Sequence, residues 1–155
     1  MSENMQFLPK AELLTLEELD RLCSTFIRLG VEKLRITGGE PLVRQQVPHL
    51  IEMLAGIEKL EDLSLTTNGM LLAEQAQALH DAGLQRLNIS LDTLNKEVFE
   101  KITRRDGLEK TLQGIDAAIK CGFKSVKLNT LAIKGVTESE VAKLVRYALD
   151  RNVML

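Results

Sequence analysis

The sequence has few cysteines, no long apolar run and no excess of charge of one sign. Only two of its 155 residues are cysteines, Cys23 and Cys121, and they lie far apart in the chain. This spacing matches neither a disulfide framework nor a metal-binding motif, and it favours a reducing cytoplasm as the location. No apolar stretch approaches the roughly 20 residues that a membrane-spanning helix needs. The first ten residues also lack the charged start and apolar middle of a signal peptide.

The charges nearly cancel, with 20 basic and 22 acidic side chains and a net charge of −2. Because no long basic run is present, we do not expect a nucleic acid as a partner. Apolar residues make up 45% of the chain and charged residues 27%, which is typical of a globular protein. A chain of 155 residues is long enough to bury a core, and we expect one domain or part of one.

Helix and strand patterns alternate along the chain. Thr15 and Glu18 form a T-x-x-E pattern that favours a helix start, and Gly30 ends the apolar helical spacing that follows. A second T-x-x-E pattern, from Thr137 to Glu140, predicts the start of the last helix. The alternation predicts an α/β fold with parallel strands joined by helices. The predicted strands are 33–37, 62–67, 86–91 and 125–133. The predicted helices after the first are 45–58, 71–82, 96–104, 108–120 and a last helix that opens at the Thr137–Glu140 pattern and carries Val141, Leu144, Val145 and Ala148.

The pattern begins on a helix and stops at "RNVML", residues 151–155, which is typical of the start of another strand. We therefore expect residues 1–155 to be the middle of a larger α/β domain that is truncated at both ends.

Each predicted strand alternates apolar and polar residues, although parallel strands that are covered on both faces are usually apolar throughout. Successive strand residues point to opposite faces, so each strand has one polar face. Two architectures account for this pattern: an open sheet with one face in water, or a (βα) barrel whose polar lumen holds a ligand. A dry lumen that contained Arg35 and Lys127 would cost roughly several kcal/mol for each bare charge. A barrel therefore requires a polar ligand, and two cations favour an anionic one.

Polar residues and glycines follow three of the predicted strands. The stretch "GGEP", residues 38–41, follows the first strand, Asn68–Gly69 the second and Asp92–Thr93 the third. In (βα) folds, ligands bind at the carboxyl ends of strands, and glycines let the backbone approach a ligand closely. Glu40 and Asp92 could act as acid–base groups, or they could orient nearby cations and backbone amides.

Five stretches carry a resemblance to a known family: "LRITGGEPLVR" (34–44), "LSLTTNGMLL" (63–72), "RLNISLDTL" (86–94), "FEKITRRDGLEKTLQGIDAAI" (99–119) and "SVKLNTLAIKG" (125–135). Together they closely resemble the GTP 3′,8-cyclase family of molybdenum cofactor biosynthesis, whose members are radical S-adenosylmethionine (SAM) enzymes. The resemblance implies an incomplete barrel of six (βα) units, with parallel strands and outer helices. Residues 1–155 would be the central part of that radical SAM barrel.

The resemblance also implies a reaction. A [4Fe–4S] cluster cleaves SAM reductively, the resulting radical takes a hydrogen from the ribose C3′ of GTP, and that carbon attacks guanine C8. A second [4Fe–4S] cluster binds the guanine. A partner, cyclic pyranopterin monophosphate synthase, would then act on the product.

The resemblance assigns binding roles to five residues. Gly39 and Ser90 match positions that contact SAM. Arg35, Thr66 and Lys127 match positions that contact GTP.

The cysteine motifs of the family have no counterpart in these 155 residues. Neither the C-x-x-x-C-x-x-C motif nor the three cysteines of the carboxyl-terminal cluster is present. Cys23 and Cys121 are predicted to be structural, so no metal ligand and no catalytic residue is assigned. We therefore expect the chain by itself not to cleave SAM.

Two other functions fit the same residues. Lys127 could form a Schiff base with a carbonyl substrate in an aldolase-like (βα) enzyme. Alternatively, the chain could be a non-catalytic nucleotide-binding module. An exposed sheet edge also makes a homo-oligomer plausible.

Overall fold

The centre of the molecule is a sheet of four parallel strands that lie side by side in chain order. The structure is a computed structural model that describes residue 9 and residues 12–155. The predicted α/β fold with parallel strands is confirmed. The strands are β1 (Lys33–Ile36), β2 (Asp62–Thr67), β3 (Arg86–Ser90) and β4 (Ser125–Asn129). The helices are α1 (Leu16–Arg28), α2 (Val47–Ala55), α3 (Leu72–Asp81), α4 (Lys96–Thr103), α5 (Leu108–Cys121) and α6 (Val141–Asp150).

The first helix begins where the sequence predicts it. The Thr15 hydroxyl accepts a hydrogen bond from the Glu18 amide, and the Glu18 carboxylate accepts one from the Thr15 amide. These two bonds form a capping box, because each satisfies a backbone N–H that the helix itself leaves without a partner. None of the helices described is long and apolar enough to cross a membrane.

The second T-x-x-E pattern is not a capping box, so that prediction is wrong. The Thr137 hydroxyl accepts a hydrogen bond from the Ile133 amide at 2.8 Å and donates one to the Leu131 carbonyl at 2.6 Å. Glu140 is buried and accepts hydrogen bonds from Thr93 and Lys143. Both side chains therefore hold the loop that precedes α6 in place, and α6 begins without a side-chain cap.

The fourth strand ends at Asn129, four residues earlier than predicted. The residues that follow leave the sheet and bond to the loop after β3. The Thr130 hydroxyl donates to the Leu91 carbonyl at 2.6 Å, and the Leu131 amide donates to Asp92 at 2.7 Å.

The core lies on the apolar side of the sheet. Leu65, Leu87 and Leu128 are at most 1% exposed, and the sheet register places their side chains on the same face. The helices from α2 to α6 all contribute buried residues to this one core. Strands in chain order with their helices on one side form the wall of a (βα) barrel, whereas a doubly wound sheet carries helices on both faces.

The last residues of the chain make one bridge to β4. Met154 forms a parallel bridge with Lys127, the Leu128 amide donates to the Met154 carbonyl at 2.8 Å, and the Met154 amide donates to Val126 at 3.1 Å. This single bridge is the kind of contact that the strand predicted from "RNVML" would make, and that strand stays a prediction, since the sheet itself has four strands.

Candidate functional site

The face of the sheet opposite the core is lined with polar side chains, and we call it the polar face. In a parallel sheet, register partners point to the same side, and so do residues two apart along a strand. By this rule Arg35, Thr66, Ser90 and Lys127 all lie on the polar face. The register pairs are Arg35 with Ser64, Ser64 with Arg86, Thr66 with Asn88, Asn88 with Lys127, and Ser90 with Asn129.

These residues form rows across the strands. Thr66, Asn88 and Lys127 make up the middle row, with backbones about 4.8 Å apart from strand to strand. Arg35 lies one row towards the amino ends of the strands, and Ser90 lies one row towards their carboxyl ends, at a spacing of about 6.6 Å along the strands.

The polar face carries positive charge without a neutralising partner. Arg35 and Lys127 are both exposed, and neither makes an ion pair with any described residue. Guanidinium and ammonium groups form strong charge-assisted hydrogen bonds with phosphate and carboxylate oxygens. The face therefore suits an anionic ligand.

The loop after β1 exposes its backbone. A Cβ atom added at Gly38 or at Gly39 would meet no other atom within 4 Å. Gly38 also has a φ of +149°, a conformation that residues with a side chain rarely adopt. The backbone groups of Gly39 are therefore open to a ligand at the carboxyl ends of the strands.

Glu40 joins the loops that follow β1 and β2. One carboxylate oxygen accepts hydrogen bonds from the Leu42 amide at 3.1 Å and from the Thr67 hydroxyl at 2.7 Å. The other oxygen accepts one from the Asn68 amide at 2.8 Å. Of the two roles open to Glu40, the geometry therefore supports the orientation of backbone amides.

Asp92 makes the corresponding link between the loops that follow β3 and β4. Its carboxylate accepts the hydrogen bond from the Leu131 amide at 2.7 Å. The sequence left open whether Asp92 acts as an acid–base group, and here too the geometry supports orientation of a backbone amide. Two carboxylates thus hold four loops in two pairs at the ligand end of the sheet.

A third link ties the loop after β3 to α6. The Thr93 hydroxyl donates to Glu140 at 3.2 Å, and Lys143 donates to the same carboxylate at 2.8 Å. The hydrogen bond from Lys143 holds the pKa of the Glu140 carboxyl below its ordinary value. Glu140 is therefore ionised at neutral pH and keeps both contacts.

A small cleft opens at the carboxyl ends of β2 and β3. Its volume is about 70 Å³, and its lining residues are Asn68, Ser90, Asp92, Thr93, Phe99, Ile102 and Thr103. Ser90 is the polar-face residue that borders it. A larger groove of about 410 Å³ runs along α6, but none of its lining residues lies on the polar face.

Helix α5 supports the loop after β2 at very short range. The Thr111 hydroxyl donates to the Asn68 carbonyl at 3.0 Å, and a Cβ atom added at Gly114 would lie 2.3 Å from the Gly69 carbonyl oxygen. Sequence reasoning missed both residues. The available signal was a glycine in the middle of a predicted helix, which often marks a close contact.

The two cysteines lie on helices rather than at the polar face. Cys23 is partly buried on α1, where burial raises the pKa of its thiol, and Cys121 ends α5. Within residues 12–155 no three His, Cys, Asp or Glu side chains come close enough together to hold a metal ion. The described residues therefore do not provide the ligands of an iron–sulfur cluster.

Comparison with known families and sequences gives a consistent result. Residues 2–148 match the family described as the radical SAM superfamily. A GTP 3′,8-cyclase from Rhodopirellula baltica is 55% identical over 97% of this chain and 42% of its own length. GTP 3′,8-cyclases from Rhizobium etli and Brucella ovis are 52% and 54% identical, each over 45% of its own length. The chain thus spans less than half the length of these curated relatives.

Two solved structures share the fold. The HydG maturase of the [FeFe]-hydrogenase superposes with a TM-score of 0.75 over 96% of this chain and 34% of its own, at 18% identity. The radical SAM enzyme HemN of Escherichia coli, a coproporphyrinogen III oxidase, superposes with a TM-score of 0.65 over 89% of this chain and 34% of its own, at 20% identity. At these identities the likeness concerns the fold alone. It confirms the predicted partial (βα) barrel of the radical SAM type.

Proposed function

The chain belongs to the radical SAM superfamily, and from this premise we propose that it forms the nucleotide- and SAM-binding wall of a GTP 3′,8-cyclase. The observation that most supports the proposal is the common polar face of Arg35, Thr66, Ser90 and Lys127, which come from four different strands. The reaction in this proposal is taken from the relatives that are named GTP 3′,8-cyclase and are more than 50% identical to this chain.

Family membership implies that SAM and a [4Fe–4S] cluster take part. The chain has features that fit SAM: the open backbone of Gly39 would bond to its methionyl end, and Ser90 borders the cleft at the carboxyl ends of β2 and β3. When bound, SAM would supply the hydrogen-abstracting chemistry. The cysteines do not fit a cluster, so the role we propose for this chain is to bind and orient both small molecules.

The two cations would hold the triphosphate. Arg35 offers a planar pair of donors that matches phosphate oxygens, and Lys127 offers a compact charge one row further along. Thr66, beside Asn88 in the middle row, would offer a hydroxyl to the nucleoside. Glu40 and Asp92 would keep the loops at this end fixed, so that the backbone near the cofactor does not rearrange on binding.

A calorimetric titration with GTP tests the proposal. We expect the chain to bind GTP and Arg35→Ala to weaken binding about 10- to 100-fold, since a hydrogen bond to a charged group contributes about 1.5–3 kcal/mol. Lys120→Ala is the matched control, because Lys120 is an exposed lysine on the outer helix α5. No binding of GTP, or an equal loss in both variants, would contradict the proposal.

Three earlier hypotheses stay predictions. A Schiff base on Lys127 would be detected by borohydride trapping of a carbonyl substrate. A homo-oligomer, predicted from the exposed sheet edge, would be detected by its mass in solution. Action of cyclic pyranopterin monophosphate synthase on the product is implied by the family resemblance and concerns the whole enzyme.

A further inference from the structure

We propose that Asn88 is a further substrate contact on the polar face and that it binds the ribose hydroxyl groups of the nucleotide. The inference rests on the proposed function and extends it to a residue to which the family resemblance gives no role.

Asn88 stands apart among the buried polar residues of the described chain. Seven polar or charged residues are buried there, and six of them make side-chain hydrogen bonds within the protein. Asn88 is 9% exposed, and its carboxamide bonds to no described residue. Buried amides are nearly always hydrogen-bonded, because leaving one without a partner is unfavourable.

The carboxamide is not sealed inside the core. Asn88 lies on the polar face between Thr66 and Lys127. Its amide oxygen and nitrogen are not among the fully enclosed side-chain atoms that lack a hydrogen-bond partner, so solvent can reach them. The open side of the face is thus the direction from which a partner can reach it. A side chain that is nine-tenths buried, yet free to bond only outward, is arranged to meet a bound molecule.

The chemistry of an amide indicates which part of a nucleotide it would meet. A carboxamide both donates and accepts hydrogen bonds, as does a hydroxyl group, whereas phosphate oxygens only accept. The cations Arg35 and Lys127 already suit the phosphates. Asn88 lies beside Lys127 and one row below Ser90, the proposed SAM contact. It therefore occupies the place between the phosphates and the cofactor, where the sugar of a nucleotide would lie.

Such a contact would do more than add affinity. Hydrogen bonds to the sugar fix its rotation about the bonds that join it to the phosphates and the base. A fixed sugar presents the same C–H bond to the cofactor in each turnover. Asn88 would thus be a positioning residue for the substrate.

Titrations of GTP, 2′-deoxy-GTP and 3′-deoxy-GTP into the native chain and into Asn88→Ala test the inference. We expect the substitution to weaken GTP binding about three- to tenfold, the loss of a neutral hydrogen bond. At least one deoxy analogue should bind the native chain and the variant equally, because it already lacks the hydroxyl. Gln113→Ala, which removes an exposed amide on α5, should leave all three affinities unchanged.

Asn88→Leu repeats the measurement with a side chain of similar shape, in case the smaller variant does not fold. Unchanged GTP affinity, or an equal loss for GTP and both deoxy analogues, would overturn the assignment to the ribose. If GTP binding depends on Arg35 and not on Asn88, only this inference fails. If the native chain binds no GTP, the inference fails together with the proposed function.

Discussion

Single side chains at the ligand end of this sheet divide into two groups. Arg35, Ser90 and Lys127 are exposed, and their side chains make no hydrogen bond or ion pair with any described residue, so they are available to a ligand. Glu40 and Asp92 lie in the same region but are engaged with backbone amides. Residue type alone does not separate the groups, because a carboxylate beside a ligand site can act as a base or as a hydrogen-bond acceptor.

Replacing Glu40 tests its structural role. We expect Glu40→Ala to lower the free energy of unfolding by about 2–3 kcal/mol, because it removes three hydrogen bonds to a charged acceptor and leaves the Asn68 amide without a partner. Urea denaturation followed by circular dichroism would measure the loss. Glu58→Ala removes an exposed glutamate and should change stability by less than about 0.5 kcal/mol. Equal stability of the two variants would show that Glu40 does not hold the loops.

At the scale of elements, the contact between α5 and the loop after β2 decides how closely the outer layer approaches the ligand end. The helix presents Thr111 and Gly114 to the backbone of residues 68–69. A glycine inside a helix weakens it by about 1 kcal/mol relative to alanine, so its presence here needs a reason in the packing. The reason is the Gly69 carbonyl, which occupies the space of a Cβ atom.

This contact predicts that replacing Gly114 by alanine lowers stability, although helix propensity alone would predict that it raises stability. Gly114→Ala should destabilise the protein by about 1–3 kcal/mol, because the added methyl group would lie 2.3 Å from the Gly69 oxygen and the helix must move. Gly56→Ala serves as the control, since its nearest atom would be at 3.4 Å and its backbone has helical angles. The measurement is the urea midpoint of both variants. An unchanged or raised midpoint for Gly114→Ala would refute the close approach.

For the molecule as a whole, the arrangement of layers explains the alternation in the strands. All the helices that pack against the sheet lie on its apolar side, and the opposite side is polar and exposed along its rows. A barrel wall has this form, with helices outside and a lumen within. The chain spans less than half the length of the GTP 3′,8-cyclases compared above. Its two cysteines lie on helices and not at the polar face.

The placement of the cysteines predicts the chemical behaviour of the chain. After anaerobic treatment with iron and sulfide, and with dithionite as reductant, we expect the chain to produce no 5′-deoxyadenosine from SAM, because two distant cysteines cannot hold a [4Fe–4S] cluster. Chromatography of the product measures this directly. An intact radical SAM enzyme treated in the same way is the positive control, and 5′-deoxyadenosine above background from this chain would contradict the prediction.

The sequence by itself determined the order of helices and strands, the polar and apolar faces, and the first helix cap. These features depend on residues within about four positions of one another, through side-chain alternation and local hydrogen bonds. Only the tertiary structure decided the roles of Glu40, Asp92 and Thr93, whose partners lie 27 to 47 residues away. The wrong prediction at Thr137 and Glu140 has two causes: Thr137 bonds to Leu131 and Ile133 in the loop just before it, and Glu140 bonds to Thr93, 47 residues away. The role proposed for Asn88 also depends on the tertiary structure, because only the positions of the neighbouring strands reveal that its carboxamide has no hydrogen-bond partner among the described residues.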